Sequence, residues 1–507
     1  MDMKTKKWFK ILPAFAIAAV VTLSSCQKEN GPKTPDVPAP EGYGYFSAAF
    51  GTQTPTLTRA EMTPAGTVAE NFVDKILVVL YGSDDKVAYR FPYTLTNVGS
   101  GGTTLADFSG TGLAQTSGAQ PSSDKDKNVV TQGEIITSGN YKMIVILNPT
   151  TAMETATALL SNLSSFTEAK NSVAAANFLG SGNDRFVMTN ADNVVNITPA
   201  DLYTMKADAE TNPKRVYVDR AVAKITTVKG SAFDTNITNN KTDGSKLYEN
   251  ITDISWYVDV LNTSTYWMRK PTFAKGGAPT PELGVRANYY AEDPNMTAGG
   301  TFTSEDLAAS SNANLGKQYN LLTDLATAAT VYSTENTMNA GVDAVKYGTQ
   351  VVVKCKIQPI GLALNAPYYS YAGFVFTHEQ ALAWLYDNDV DIPTDAPANF
   401  ETVLEDCNFF EEETATAPTS YVVSDNDVTY HFGSWNVYRI PIKHFSGSDA
   451  SMDEDDWGYY GVVRNNAYTV TITNITGPGS GSGQKYISAY ITINPWILRN
   501  QNESLGN

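Results

Sequence analysis

Cysteine, histidine and basic residues are all scarce in this chain, and each scarcity closes off a class of function. Three cysteines and three histidines in 507 residues leave no zinc framework. His378, His431 and His444 lie beside no cysteine cluster and form neither a His-x-x-x-His nor a Glu-x-x-His spacing. Lys and Arg number 36 against 53 Asp and Glu, a formal charge of -17. That excess of negative charge opposes nucleic-acid binding and favours solubility outside the cell. Long apolar runs are lacking too: beyond the N-terminal segment nothing approaches membrane-spanning length. Helical periodicity is equally sparse, which excludes a βαβ chain with a helix after nearly every strand.

What is present begins with an export signal. Lys4, Lys6, Lys7 and Lys10 form a basic start, Ile11 to Val21 is an apolar run too short to span a bilayer, and Leu23-Ser24-Ser25 places small residues before Cys26. The pattern predicts a lipoprotein signal over residues 1–25, with Cys26 acylated (palmitate among its chains) and becoming the new N-terminus. Its removal, with four Lys and one Asp, takes the charge to -20. Residues 26–42, rich in proline and polar side chains, read as a disordered tether. Membrane contact is then expected only through the precursor's lipid. Of the other cysteines, Cys355 alternates with Val351, Val353 and Ile357 and reads as a small core residue. A structural Cys355–Cys407 disulfide stays open as an alternative.

The strong periodicity is of period two. Tyr43 to Phe50, Phe72 to Tyr81, Tyr141 to Leu147, Val216 to Val228, Ile254 to Leu261 and Gln350 to Ile357 read as strands between Gly, Asn, Asp, Ser and Thr clusters. Helical spacing is confined to Thr155–Phe166, Glu305–Leu325 and Glu379–Tyr386. The layout of a short strand, a polar stretch and a long apolar strand occurs once from Tyr43 and again from Arg215, so two sandwich domains are expected, 43–213 and 214–507. At the C-terminal end Tyr468, Val470 and Ile472 alternate with threonines. After the glycine-rich 477–483, Ile487, Ala489, Ile491 and Ile493 alternate with Tyr486, Ser488, Tyr490 and Thr492. This predicts two amphipathic strands joined by a flexible hinge or hairpin connection; no Gly-Lys-Ser/Thr follows the glycines, so they form no phosphate cradle.

No catalytic constellation emerges, so no enzyme and no cofactor are expected. Asp387-Asn388-Asp389-Val390-Asp391 opens like a calcium loop, but Ile392 replaces the turn glycine and Ala398 stands where a bidentate Glu belongs. It reads as a solvated acidic loop, as does Asp453-Glu454-Asp455-Asp456.

Several stretches are similar to a known family. Tyr438-Arg439-Ile440-Pro441-Ile442-Lys443-His444, then Gly458 to Asn466 before a Thr-rich strand, then Tyr486-Ile487-Ser488 ending in Asn494-Pro495-Trp496, resemble the C-terminal domain of the Bacteroidales fimbrillins, the type V pilins of the Mfa and FimA kind. Tyr141 to Pro149, Phe186 to Asn190 and Val218-Asp219-Arg220-Ala221-Val222-Ala223-Lys224-Ile225 resemble the family's N-terminal domain. The resemblance implies a mainly β fold of two tandem Greek-key (transthyretin-like) β-sandwich domains with a few inserted helices. It implies an outer-membrane lipoprotein precursor that an Arg-specific protease cuts, the family's Arg-Ala site falling on Arg59-Ala60 of Thr58-Arg59-Ala60. The cut removes residues 43–59, and a neighbour's C-terminal tail within 486–507 fills the groove and extends an extracellular fimbria. The donor set stays open between Ile487, Ala489, Ile491 and Ile493 and, beyond the Pro495 break, Trp496 and Leu498. Implied partners are copies of the chain, anchor and tip subunits, and a host or bacterial surface receptor, in adhesion and biofilm formation.

The bare residues leave rival readings. Arg59 sits among Thr54, Thr56, Thr58 and Thr63, between Pro55 and Pro64, an extended and protease-accessible context; it also reads as an ordinary loop arginine. A fimbrial tip adhesin is the nearest alternative function. Seven Trp and 28 Tyr in an exported chain also suit a glycan-binding outer-membrane lipoprotein, unless those rings fill the cores.

Overall fold

The computed structural model describes residues 37–51, 70, 73, 75–94, 119–121, 129–171, 179–180, 185–191, 193–233, 248–262, 265–270, 307–308, 320–337, 347–419, 423–444, 460–479 and 487–495. The signal segment, Cys26, Arg59, Ala60, Trp496 and Leu498 lie outside these.

The described residues are mainly strand, as the period-two patterning predicts. In the N-terminal part the longest sheet runs, in spatial order, Val87–Thr94, Lys75–Tyr81, Tyr141–Leu147, Met188–Asn190, Lys214–Arg220, Ala48–Gly51, Val129–Thr131 and Ala119–Pro121. Lys75–Tyr81 and Tyr141–Leu147 pair antiparallel at its centre and are buried along nearly their whole length, which explains their unbroken apolar runs. Tyr43–Phe46 pairs with Glu134–Thr137 in a separate ribbon. Phe46, Phe50, Leu77, Val79, Val145 and Val216 share the first core.

The second core lies between two four-stranded sheets. One orders Thr330–Ser333, Ala223–Lys229, Asn466–Ile475 and Ile487–Pro495; the other orders Asn320–Leu321, Tyr248–Asp259, Gln350–Pro359 and Trp435–Pro441. Ile225, Tyr468 and Val470 from the first meet Trp256, Val353 and Tyr438 from the second, which makes a β-sandwich. Cys355 is fully buried there. The open disulfide does not form: Cys355 and Cys407 are both free thiols in different cores, and burial pushes each up to about 12.

Four differences from the sequence reading have physical causes. Val216 to Val228 is two strands, Lys214–Arg220 and Ala223–Lys229, which belong to different sheets. The chain crosses between cores at Ala221-Val222, held by Ala221 N–H to Val187 O and Asn465 N–H to Val222 O (both 2.9 Å), so Lys214–Arg220 stays with the first sheet beyond the expected boundary at 213. The helix expected over 155–166 is two short ones, Thr151–Ala156 and Ser164–Thr167, because the chain turns at Leu160 with a φ of 69° and leaves Leu159 and Leu160 exposed. Within 305–325 the described residues hold the strands Leu307–Ala308 and Asn320–Leu321, the latter capturing the edge of Tyr248–Asp259 at Ser255 and Trp256.

The fourth difference is a third core, inserted between Gln350–Pro359 and Trp435–Pro441. Tyr368–Tyr371, Phe374–Phe376, Val423–Asp425 and Val428–His431 make a sheet against the helices His378–Tyr386 and Phe400–Glu405. The first helix matches the expected 379–386 and is closed by a capping box, Thr377 with Gln380. Tyr369, Phe376, Phe400, Phe410 and Tyr430 fill this core, which absorbs many of the aromatics that a glycan platform would need.

Candidate functional site

The segment Tyr43–Gly51 is the part of the N-terminal domain that bears most directly on the expected cut. Its first half pairs antiparallel with Glu134–Thr137, in the register Tyr43↔Thr137 to Phe46↔Glu134. At Ser47 the chain changes sheet. Ala48–Gly51 then runs parallel to Lys214–Arg220 on one side and antiparallel to Val129–Thr131 on the other. The alternation that marked this stretch in the sequence understates its burial, since Phe46 is 1% exposed and Ala48, Ala49 and Phe50 are 0% exposed.

Polar contacts fix the register at the change of sheet. Ser47 Oγ donates to Thr131 O (2.7 Å), Ala48 N–H donates to Thr131 Oγ1 (2.9 Å), and Lys214 N–H donates to Ser47 O (2.8 Å). Tyr45 and Tyr203 exchange backbone bonds of 2.7 and 2.9 Å. Next to it Gly44 is required, because a Cβ there would stand 2.7 Å from Leu202 Cβ. Loss of this segment would leave two strands each with an unpaired edge and an apolar trench between them.

The C-terminal strand is paired within its own domain. Ile487–Pro495 runs antiparallel to Asn466–Ile475 at the edge of its sheet, with Ile487 buried and Ala489 and Ile491 packed partly against the second core. Ile493 faces Tyr468 in the backbone register. Of the first of the two expected donor sets, Ile487, Ala489 and Ile491 therefore share one inward face here. The glycine-rich connection is fixed where it begins: Tyr438 Oη donates to Gly477 O (2.6 Å), and Gly479 N–H donates to Asn436 Oδ1 (3.1 Å). Gly479 must be glycine, because a Cβ would lie 2.5 Å from Val437 O.

Sequence reasoning missed the junction between the domains, although its two most specific motifs meet there. Asp219 and Arg220 of the N-terminal motif face Asn465 of the C-terminal one: Asn465 Nδ2 donates to Asp219 Oδ1 (2.7 Å) and Arg220 N–H donates to Asn465 Oδ1 (3.3 Å). Arg269 pairs with Asp219 at 3.1 Å, Lys224 with Glu70 at 2.8 Å, and Arg464 with Glu335 at 2.8 Å. Arg464 also donates to Trp267 O and Tyr266 O, and Tyr332 Oη donates to Glu70 Oε1 (2.6 Å). Burial lowers Arg220 to about 9 against the raising fields of Glu70, Tyr332 and Asp219. Arg220 and the pair Arg464–Glu335 are fully buried, so removal of either member of that pair would leave an uncompensated buried charge.

The three histidines are each held by hydrogen bonds within the fold. His444 Nδ1 contacts Tyr468 Oη (2.6 Å), His431 lies between Ser370 Oγ and Trp435 O, and His378 contacts Tyr369 Oη and Ala415 O. Among the described residues no group of three or more His, Cys, Asp or Glu is placed to hold a metal ion. Asp387 and Asp389 lie in an exposed loop, where Asp389 N–H donates to Asp387 Oδ1.

Among solved structures, the chain is similar to the fimbrilin FimA of Porphyromonas gingivalis (14% identity, 90% of this chain and 98% of that one, TM-score 0.41). It is also similar to the tip fimbrial protein Mfa3 of the same organism with a C-terminal truncation (13% identity, 91% and 100%, TM-score 0.38). A fimbrial assembly protein of Parabacteroides distasonis aligns over 63% of this chain and 85% of that one, at 12% identity and a TM-score of 0.27. No curated protein matches. The family described as major fimbrial subunit protein type IV, fimbrillin, C-terminal, matches residues 429–502. That match takes in the C-terminal motifs, from Tyr438 to Asn494-Pro495-Trp496, on which the chain's sequence resembles the fimbrillins.

Proposed function

We propose that this protein is a structural subunit of a cell-surface fimbria. It is exported as a lipoprotein on Cys26, cut after Arg59 by an Arg-specific protease, and polymerised by strand exchange in the service of adhesion and biofilm formation. The observation that carries this reading is the strand Ala48–Gly51, paired between Lys214–Arg220 and Val129–Thr131 with Ala48, Ala49 and Phe50 buried, only a short way before Arg59. Arg59 is the only arginine between Cys26 and the long strand Lys75–Tyr81. A cut there separates an interior strand and the lipid from the remaining domain in one step. The slot offers unpaired backbone groups beside an apolar trench, and an alternating apolar strand satisfies both at once.

Donation of a strand from one copy to the next does not close on itself, so its product is a filament. Burying three to five apolar side chains of the incoming strand at ~1.5 to 3 kcal/mol each gives a gross term on the order of 10 kcal/mol before ordering costs. The shaft is favoured over the tip because the chain carries both an Arg-Ala site and an apolar C-terminal strand. N-terminal sequencing of fibres tests the reading: the assembled subunit should begin at Ala60, and Arg59→Ala should leave lipidated monomer. Normal fibres from Arg59→Ala would overturn it.

A further inference from the structure

Two short segments at opposite ends of the chain repeat one another. Phe46-Ser47-Ala48-Ala49-Phe50 and Ile487-Ser488-Ala489-Tyr490-Ile491 share the order large apolar, Ser, Ala, any residue, large apolar, and each follows a tyrosine, Tyr45 and Tyr486. The likeness extends to the roles of the residues. Phe46, Ala48 and Phe50 face the first core, and Ile487, Ala489 and Ile491 face the second, so positions one, three and five are inward in both. The second position differs in what it does. Ser47 is buried with its hydroxyl bonded to Thr131 O, whereas Ser488 is exposed in its own sheet. The second core does not demand a serine at 488; the first sheet uses one at 47.

We propose, on the strand-exchange reading above, that Ile487–Ile491 of a second copy enters the slot of Phe46–Phe50 in a single register. Ile487 replaces Phe46, Ser488 replaces Ser47, Ala489 replaces Ala48, Tyr490 replaces Ala49 and Ile491 replaces Phe50. The incoming strand runs parallel to Lys214–Arg220 and antiparallel to Val129–Thr131, as Ala48–Gly51 does. Ser488 Oγ then donates to Thr131 O and the Ala489 N–H to Thr131 Oγ1, reproducing the two contacts that fix the present strand. A slip of one residue turns every apolar side chain to the wrong face. A slip of two places Ala489 at a phenylalanine position and leaves a void there. The one enlargement, Tyr490 for Ala49, falls on the face opposite Phe46, Ala48 and Phe50, where Ala49 is itself 0% exposed, so that face has to open by the volume of a phenol ring on exchange.

Cross-linking in assembled fibres of the full chain decides the register. Ala49 stands opposite Val130, so Tyr490→Cys combined with Val130→Cys should join neighbouring subunits into a ladder with a short thiol cross-linker after processing. The offset pair, Ser488→Cys with Val130→Cys, should give a clearly weaker ladder, since Ser488 would lie on the same face two residues along, a diagonal of about 7–8 Å from Val130 in place of about 5 Å for the facing pair. Equal ladders from both pairs would overturn the register. If Trp496→Cys or Leu498→Cys joins Val130→Cys while Tyr490→Cys does not, the register is refuted and strand exchange stands. If fibres form and no C-terminal position joins Val130→Cys, both fail. Fibre yield of each double variant without cross-linker, compared with the unaltered chain, shows that the subunits fold and assemble.

Discussion

Phe50 is buried to 0% exposure in a strand expected to be absent from the assembled subunit, so its truncation should matter only before assembly. Its ring lies in the first core with Phe46 and Val216, on a strand paired on both sides. Phe50→Ala removes that buried ring and leaves a cavity between paired strands that have little freedom to collapse, which costs about 3–5 kcal/mol. For a domain of this size each kcal/mol moves the midpoint by roughly 2–4 °C, so the N-terminal transition of the uncut precursor should fall by roughly 6–20 °C. Differential scanning calorimetry of the precursor, with the second sandwich as an internal reference, measures the shift. Fibres grown from the same variant after processing should melt where wild-type fibres melt, because the altered residue has left. An equal loss in precursor and fibre would mean that Phe50 stays in the assembled subunit, and the idea of a removed strand would fall.

Other consequences are checked more briefly. Metabolic labelling with a fatty-acid analogue should mark the wild type and not Cys26→Ala; equal labelling would sink the lipoprotein reading. Arg464→Ala strands the buried Glu335 carboxylate and should cost about 3–5 kcal/mol, read as a lower unfolding midpoint in urea that added salt changes little. Burial holds His431 down at about 4 against an ordinary value of 6.5, so the unfolded chain binds the extra proton between those values. The stability tied to the neutral ring is complete above pH 6.5 and is lost as pH falls through about 4, amounting to at most about 3 kcal/mol; His431→Gln should flatten that part of the pH profile.

The strands were legible where local pattern and final environment agree. Tyr141–Leu147 is apolar on both faces because it lies at the sheet centre, and the alternation of Asn466–Ile475 and Ile487–Pro495 follows from one face toward the second core. Legibility failed where tertiary contacts decide. Leu159 and Leu160 have helical spacing yet are exposed, since the chain turns there at Leu160. The aromatic third core could not be separated from loop because Tyr369, Phe376, Phe400 and Tyr430 come from four short segments whose convergence has no period. The domain junction was hidden for the same reason: nothing local to Asp219 or Asn465 announces that they bond across 246 residues of sequence. Of the expected site, the buried strand and the paired C-terminal strand fall within the described residues.

The position of the C-terminal strand bears on why a cut should be needed at all. In its own domain Ile487–Pro495 has one neighbour, Asn466–Ile475, and sits at a sheet edge with Ala489 and Ile491 only partly covered. The slot of Ala48–Gly51 has a neighbour on each side, and its inward positions are 0–1% exposed. A strand that moves from the first place to the second exchanges one line of backbone bonds for two. At ~0.5–1.5 kcal/mol for each added bond, with fuller burial besides, the proposed exchange would be favourable once the slot is vacant. While Tyr43–Gly51 remains covalently attached the incoming strand must compete with an intramolecular one, whose effective concentration on a short connection is of millimolar order or above, ~10⁻³ M. On the proposed reading, peptide cleavage would abolish that advantage, so the step that frees the subunit from its lipid would also make the slot available to a second copy.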